Sequence, residues 1–425
     1  MPQLAWYETR NLELAFPDSW QIELCHMAGH ERPALDAAGA KEAIRNPIGA
    51  LPISEAARGK KEIAIIFDDM SRPTRVAPLV PYVLEELAKA GIGDHQIRFV
   101  CALGSHGALT RQDFVKKLGA DVVARFPVYN HNVMGNCSLV GTTSLGTDLY
   151  INSEVMRCDF KIAFGSIVPH GFAGYGGGAK IVLPGLASLE TIRALHRMML
   201  GDSGGKSVDF TGMGCIADNP LRRNIEEAAV MVGLDLKIDA IVNKWGETVS
   251  LYAGAPEAAF QEGLGEARWH YLTPRARDCD VVVTNTFAKA NEGEGGVITG
   301  FPSLKKTGGD LVLVCNAPEG HVVHYLFGYW GGANPDGFEL IVKLPQNVNR
   351  LIVFSEYPDL TDAGFFSPRD KVLLVDKWDD VLRVLEQSHG DGAKVAVYSS
   401  AEIQYCDDGQ RARNPPSITN SVPVT

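Results

Sequence analysis

Short apolar runs recur along this chain, and each stops abruptly at a polar cluster. Glu62 to Phe67 (EIAIIF) is β-branched and apolar throughout, the mark of a strand buried on both faces of a parallel sheet. It ends at Asp68-Asp69. Ala77 to Ala90 then carries a helical pattern with Pro78 and Pro81 confined to its first turns, and Gly91 supplies a stop. Ile97 to Leu103 (IRFVCAL) predicts the next strand and runs into Gly104-Ser105-His106. Phe160 to Phe164 predicts another, followed by a polar loop that carries His170. Three polar motifs therefore each follow a predicted strand. In open α/β sheets ligands bind at the carboxyl ends of strands, so these motifs are expected to converge on one crevice. Ser188 is placed to cap a further helix in which Leu189, Ile192, Leu195 and Met199 share a face, with Glu190 favourable in the first turn. His196 lies one turn beyond Ile192, on or beside that buried face.

The pattern resets near Thr273-Pro274-Arg275-Ala276-Arg277, which reads as a linker. Beyond it Cys279 to Asn285, Asp310 to Cys315, Leu351 to Phe354, Val372 to Val375 and Lys394 to Tyr398 predict strands, and Asp379 to Gln387 a helix. The expected architecture is α/β: two α/β domains with largely parallel sheets and an active-site cleft between them. Residues 1–272 form the catalytic domain, and residues 273–425 form a smaller C-terminal α/β domain with an irregular tail. That tail, from Asp407, is polar and suits irregular packing or an interface, which leaves a homo-oligomer open.

Charge and cysteine usage narrow the function. A net charge of −11 argues against a nucleic-acid partner, although a cleft can still carry the opposite sign. The eight cysteines are scattered, with no Cys-x-x-Cys pair, which excludes a zinc ribbon and fits a reducing cytoplasm. No signal peptide is visible at Met1, and no apolar run approaches the roughly 18 residues that span a bilayer, so no membrane partner is expected.

The densest chemistry lies in Pro169-His170-Gly171-Phe172-Ala173-Gly174-Tyr175-Gly176-Gly177-Gly178-Ala179-Lys180. Five glycines separate the histidine from the lysine. Glycine at this density lets a backbone turn sharply and approach a ligand closely. The ending of a Walker-type phosphate loop is absent, because Ala179 precedes and Ile181 follows Lys180. Glycine spacing alone fits a cofactor site or simply a tight loop.

The whole pattern is more specific. His170, the loop with Lys180, Leu183-Pro184-Gly185 and His196 resemble the nickel-pincer lactate racemase family. Asp68-Asp69-Met70-Ser71-Arg72-Pro73-Thr74 and Ala102-Leu103-Gly104-Ser105-His106-Gly107-Ala108-Leu109-Thr110 match two further blocks in the family's order. The resemblance is strong over residues 10 to 260 and weak beyond. It implies a racemase or epimerase of a 2-hydroxy acid, an isomerase acting by reversible hydride transfer. The α-proton of such an acid is very weakly acidic and no side chain accepts hydride, so a cofactor must.

In the family that cofactor is a nickel-pincer nucleotide, a pyridinium thioamide/thiocarboxylate mononucleotide tethered to a lysine. The resemblance puts the lysine at Lys180, the nickel ligand at His196, and the catalytic pair at His106 and His170. Cofactor-maturation enzymes are then implied partners, and a preparation made without them holds apo protein. Neutral imidazoles suit proton transfer near pH 7. Arg72 can clamp a carboxylate, and Asp69 can orient Arg72 or a histidine. Tyr175, Gly176 and Gly177 join the cofactor contacts, with Gly176 standing where the family commonly has serine.

The family also carries a Gln and a Lys three residues apart in the later region. Matching them here gives Pro302 for the Gln and Lys305 or Lys306 for the Lys, a departure that argues against assuming lactate itself. Trp330 is assigned to the substrate pocket, with His321, His324 and Tyr329 beside it. The alternatives are the same scaffold acting on a larger sugar acid or hydroxy-diacid, and a non-catalytic carrier of the cofactor. A carrier needs Lys180 and His196 but neither His106 nor His170.

Overall fold

The structure is a computed structural model that describes residues 1–3, 10–200, 212–287, 289, 293–317, 322–328, 331, 342–359 and 364–406. Its two largest sheets have six strands each. In the first, the strands Ile63–Asp68, Ile97–Ala102, Val128–Asn130, Phe160–Ser166, Leu236–Val242 and Thr248–Gly254 lie side by side. Numbered along the chain within this sheet, their spatial order is 3-2-1-4-5-6. All neighbours are parallel except the last pair, where Thr248–Gly254 runs antiparallel to Leu236–Val242. The apolar runs behave as their composition requires: every residue of Ile63–Asp68 and Phe160–Ser166 is buried. Separate apolar clusters cover the two faces, one holding Ile65, Phe67 and Phe99, the other Ile66, Val100 and Ala163.

This strand order has a functional consequence. The chain reverses its direction of travel across the sheet between Ile63–Asp68 and Phe160–Ser166, which are neighbours. Loops leaving their carboxyl ends turn to opposite faces, and the crevice between such loops is where ligands bind in doubly wound sheets. The Asp68-Asp69 and Ser166–His170 segments leave from that point.

The second sheet, wholly parallel, joins Val281–Asn285, Gly309–Val314, Val348–Phe354, Val372–Val375 and Lys394–Tyr398. Its sixth strand is Gln21–Cys25, at the edge beside Lys394–Tyr398. The expected boundary at residue 272 is therefore incomplete. The chain begins in the second domain, with Trp20 buried in that core, and crosses into the first before the helix Ala37–Arg45. Gln21–Cys25 escapes sequence reading because Gln21, Ile22, Glu23 and Leu24 are all exposed at the sheet edge, so no alternation marks it. Among the described residues no helix is long and apolar enough to cross a membrane.

Candidate functional site

A cavity of about 230 Å³ opens where the first sheet switches direction and is closed on its far side by the second domain. Asp69, Arg72, His106, His170, Gly176, Gly177, Lys180 and His196 all line it. The three motifs that follow strands thus meet at one place, together with the helix that carries His196.

The Asp69 loop is held from beneath. Lys117, fully buried on the helix Arg111–Leu118, pairs with Asp68 at 2.6 Å. Its ammonium also donates to the carbonyls of Asp69 (2.9 Å) and Arg72 (3.2 Å). A buried ammonium is tolerated only when so paired. On this base the Asp69 carboxylate accepts the Ser71 amide (2.8 Å), the Ser71 hydroxyl and the His106 Nδ1–H (2.6 Å). Burial alone would raise the Asp69 pKa, but His106, Arg72 and Ser71 hold it well below the usual carboxylate range. With Nδ1 donating, His106 presents the lone pair of Nε2. Arg72 donates to the carbonyl and hydroxyl oxygens of Ser71, both at 3.0 Å.

His170 stands on a short turn in which Pro169–His170 pairs with Gly174–Tyr175. Its Nδ1 accepts the amides of Phe172 and Ala173, each at 3.2 Å, so the neutral ring carries its proton on Nε2. The glycine loop beyond it is sterically determined at two positions. Gly177 has φ +77°, and a Cβ there would lie 2.9 Å from Ile167. Gly178 has φ +56°, and its Cβ would meet the Phe260 ring at 2.8 Å. Gly176 is different: a Cβ there finds its nearest atom at 3.4 Å, so serine is sterically admissible. The loop is fastened by a buried pair, since Asp239 accepts the Gly178 amide at 2.8 Å and binds Lys237 at 2.5 Å. Arg222, buried on the helix Pro220–Val232, donates to the Tyr175 carbonyl. Lys180 follows in the single turn Gly178–Ile181.

His196 projects from the helix Leu189–Leu200, whose first turn Ser188 caps by accepting the Thr191 amide at 3.2 Å. Its Nδ1–H donates to the Ile192 carbonyl at 2.7 Å, which leaves Nε2 as a donor atom for a metal. Burial pushes its pKa down to about 4, with Lys180 and His106 adding to the effect. The ring is therefore neutral, the form that ligates.

Two expectations are corrected. Tyr175 does not line the cavity; its side chain is fully buried in the core of the first domain. Lys305 does not reach the site either. It pairs with Asp280 at 2.5 Å, and its amide donates to the Cys279 carbonyl, at the amino end of Val281–Asn285 and opposite the cleft. The cavity lysine of the second domain is Lys289, 3% exposed, whose ammonium donates to the Pro169 carbonyl at 3.1 Å. It lies just past the carboxyl end of its strand, the same signal that marked the other motifs. Trp330, Tyr329 and His321 lie outside the described residues.

His324, expected beside the substrate pocket, lines the cavity. Its segment is stitched to the His106 loop: Gly107 N–H donates to Val323 O (2.8 Å) and Tyr325 N–H to Ser105 O (2.8 Å). The His324 ring lies 5.3 Å from that of His106, and its Nε2 bonds Ser105 Oγ at 3.1 Å.

The fold is that of an α/β protein with a cavity between its two large sheets that gathers histidines, carboxylates and cationic side chains. A family model described as the lactate racemase N-terminal domain matches residues 7–207. Lactate racemases of Thermoanaerobacterium thermosaccharolyticum and Lactiplantibacillus plantarum are each 30% identical, over 288 and 289 residues. Each alignment spans 66% of this chain and 66% of the relative, just under two thirds of the curated proteins' length. Over these residues the chain is similar in sequence to lactate racemases, which are isomerases. Its fold is that of the lactate racemase apoprotein from T. thermosaccharolyticum, with TM-score 0.71 at 21% identity, covering 96% of this chain and 100% of that one. A Thermotoga maritima protein of known structure shares the fold at TM-score 0.61 and 16% identity, covering 89% of this chain and 100% of its own.

Proposed function

We propose that this chain is a racemase or epimerase of a 2-hydroxy acid. The observation that carries this reading is the meeting of His106, His170, Arg72, Lys180, His196 and Lys289 in one cavity. Arg72 and Lys289 supply cationic donors for the substrate carboxylate. His106 takes the proton of the substrate hydroxyl at Nε2, and Asp69 stabilises the imidazolium that results. His170 faces the same space with an N–H and serves the opposite face of the substrate.

The cofactor implied by the family is a nickel-pincer nucleotide, and the residues present fit it. Gly176 and Gly177 bring backbone rather than side chains to the cavity wall, Lys180 lines the same cavity, and His196 offers a neutral Nε2. Among the described residues no three His, Cys, Asp or Glu side chains are grouped to hold a metal by themselves. A single imidazole therefore suits a metal whose other donors come from an organic ligand. When bound, that group supplies the hydride acceptor that no side chain provides.

The eight cysteines are free in the structure, which supports a reducing, cytoplasmic setting. Cofactor-maturation enzymes are the expected partners, and a homo-oligomer stays open. A pure cofactor carrier is disfavoured by the Asp69–His106 pair, which anchoring does not need.

The test is a screen of chiral 2-hydroxy acids with cofactor-loaded protein in deuterated water. Interconversion with little label at the α-carbon is expected, because hydride returns directly. Lys180→Ala should lose the mass increment of the attached cofactor, and His196→Ala should lose bound nickel while keeping the fold. Failure of the loaded protein to interconvert any 2-hydroxy acid, or normal cofactor mass and nickel content in both variants, would sink the reading.

A further inference from the structure

A third histidine borders the cavity without a part in the chemistry proposed so far. His324 lines it from the second domain. Its Nδ1 accepts the amides of Leu326 at 3.1 Å and Phe327 at 3.0 Å, the residues two and three positions further on. His170 is held by the same local pattern, through Phe172 and Ala173. With Nδ1 accepting, the neutral His324 ring carries its proton on Nε2. That nitrogen lies 3.1 Å from Ser105 Oγ, so the ring donates and the hydroxyl oxygen accepts. A hydroxyl that accepts on one side keeps a hydrogen to give on another. Ser105 directly precedes His106, lines the cavity and is 4% exposed. Among the described residues its hydroxyl bonds only to His324, so its own hydrogen finds no acceptor there. A buried hydroxyl in that state is unfavourable until a ligand takes the hydrogen.

We propose that Ser105 donates this hydrogen to the substrate held at His106, and that His324 is the positioning residue that directs it. The inference rests on the racemase reading above. The polar atoms shared by all 2-hydroxy acids are the oxygens of the carboxylate and the hydroxyl, and each can accept. A serine hydroxyl left to itself rotates. The His324 N–H closes the orientations in which the Ser105 hydrogen turns toward that ring. Two backbone bonds hold the pair in register: Tyr325 N–H donates to Ser105 O and Gly107 N–H to Val323 O, both at 2.8 Å. The donor therefore belongs to the first domain, and the group that aims it belongs to the second.

The experiment is a double-mutant cycle in cofactor-loaded enzyme, with the 2-hydroxy acid that the parent interconverts fastest as the probe. Ser105→Ala should lower kcat/KM about 10-fold, as expected for one lost hydrogen bond to the substrate. His324→Asn removes the Nε2–H but keeps an acceptor for the two amides. The protein already uses asparagine in this way: Asn152 accepts the amides of Glu154 and Val155, and Asn219 those of Leu221 and Arg222. This variant should lose about 5-fold, because the hydroxyl stays but is no longer aimed. The double variant should be no worse than Ser105→Ala alone, since His324 acts through that hydroxyl. Intact mass should show full cofactor attachment in all three. Losses that multiply in the double variant would overturn the positioning role, because damage to the loop or another route to the site adds to the loss of Ser105. A parental kcat/KM in either single variant, or loss of the cofactor mass in Ser105→Ala, would overturn the proposal while leaving the racemase reading intact. Absence of turnover with every 2-hydroxy acid overturns the racemase reading and this assignment with it.

Discussion

His106 and His170 are the same residue type in the same cavity, yet their surroundings fix opposite tautomers. His106 is backed by a buried carboxylate that accepts the hydrogen bond of its Nδ1–H at 2.6 Å. His170 is backed by two amides that point their hydrogens at Nδ1. The first ring offers a lone pair and has a fixed negative charge behind it to stabilise the imidazolium. The second offers an N–H, and a proton arriving on its Nδ1 would meet two hydrogens already there. His106 is thus a complete acid–base station, whereas His170 must leave its amides before it can relay a proton. A residue type and its place after a strand identify a candidate, but the hydrogen bonds behind the ring decide what it can do.

The largest expected effect is that of His106→Ala. General acid–base groups contribute about 10²–10⁴-fold, and the loss here should approach the upper end. The equilibrium constant of a racemisation does not change with the enzyme, so overall turnover must fall by one factor in both directions. An asymmetry should appear only in half-reactions, followed as optical reduction of the cofactor by each enantiomer. If His106→Ala reduces the cofactor normally with both, His106 is not the base. Asp69→Asn comes next, at about 10²-fold, because the imidazolium loses its counter-charge while the loop keeps its shape. A wild-type rate and pH profile for Asp69→Asn would show that His106 does not draw on that carboxylate.

Much of this site is legible in the sequence because its residues sit where strands end. Ile63–Asp68, Ile97–Ala102 and Phe160–Ser166 are apolar enough to be read as strands buried on both faces, and His106 and His170 follow from their ends. The helix carrying His196 is announced by its apolar spacing and by Ser188. Lys289 obeys the same rule after Val281–Asn285, but the adjacent lysines 305 and 306 offer a competing match in the sequence. The backing of each ring could not be read. Asp69 reaches His106 across 37 positions, and the Lys117 anchor beneath it comes from a helix that looks like an ordinary amphipathic surface element. Ser105 and His324 lie 219 positions apart and meet only where the second domain folds against the first. Gln21–Cys25 is invisible for the opposite reason, since an exposed edge strand has no buried face to set a pattern.

A smaller effect separates donation from proton transfer at His170. His170→Gln keeps a side-chain N–H at nearly the same reach, whereas His170→Ala removes it. If His170 acts mainly by donating a hydrogen bond, the glutamine variant should lose about 10-fold and the alanine variant about 10²-fold in kcat. Equal losses in the two variants would mean that His170 relays a proton after all, and the contrast with His106 would collapse.

The smallest effect concerns stability in the cofactor-free protein, where catalysis cannot confuse the result. Asp69 is 3% exposed, and its folded pKa is depressed despite burial because His106, Arg72 and Ser71 bind the charged form. A carboxylate with a depressed folded pKa stabilises the protein fully above its unfolded value of about 3.9, and that contribution is lost as pH falls toward the folded value. Below pH 5 the unfolded chain takes up a proton here that the folded chain refuses, so stability must fall with falling pH. Asp69→Asn has no such group. The variant should therefore be less stable than the parent at pH 7, and the gap between their urea midpoints should close as pH is lowered from 5 to 3. His170→Gln has no carboxylate to lose, so its midpoint should track the parent in parallel across the same range. A constant gap for Asp69→Asn would mean that the Asp69–His106 contact stabilises through shape alone. The charge behind His106, and with it the division between the two histidines, would then have to be abandoned.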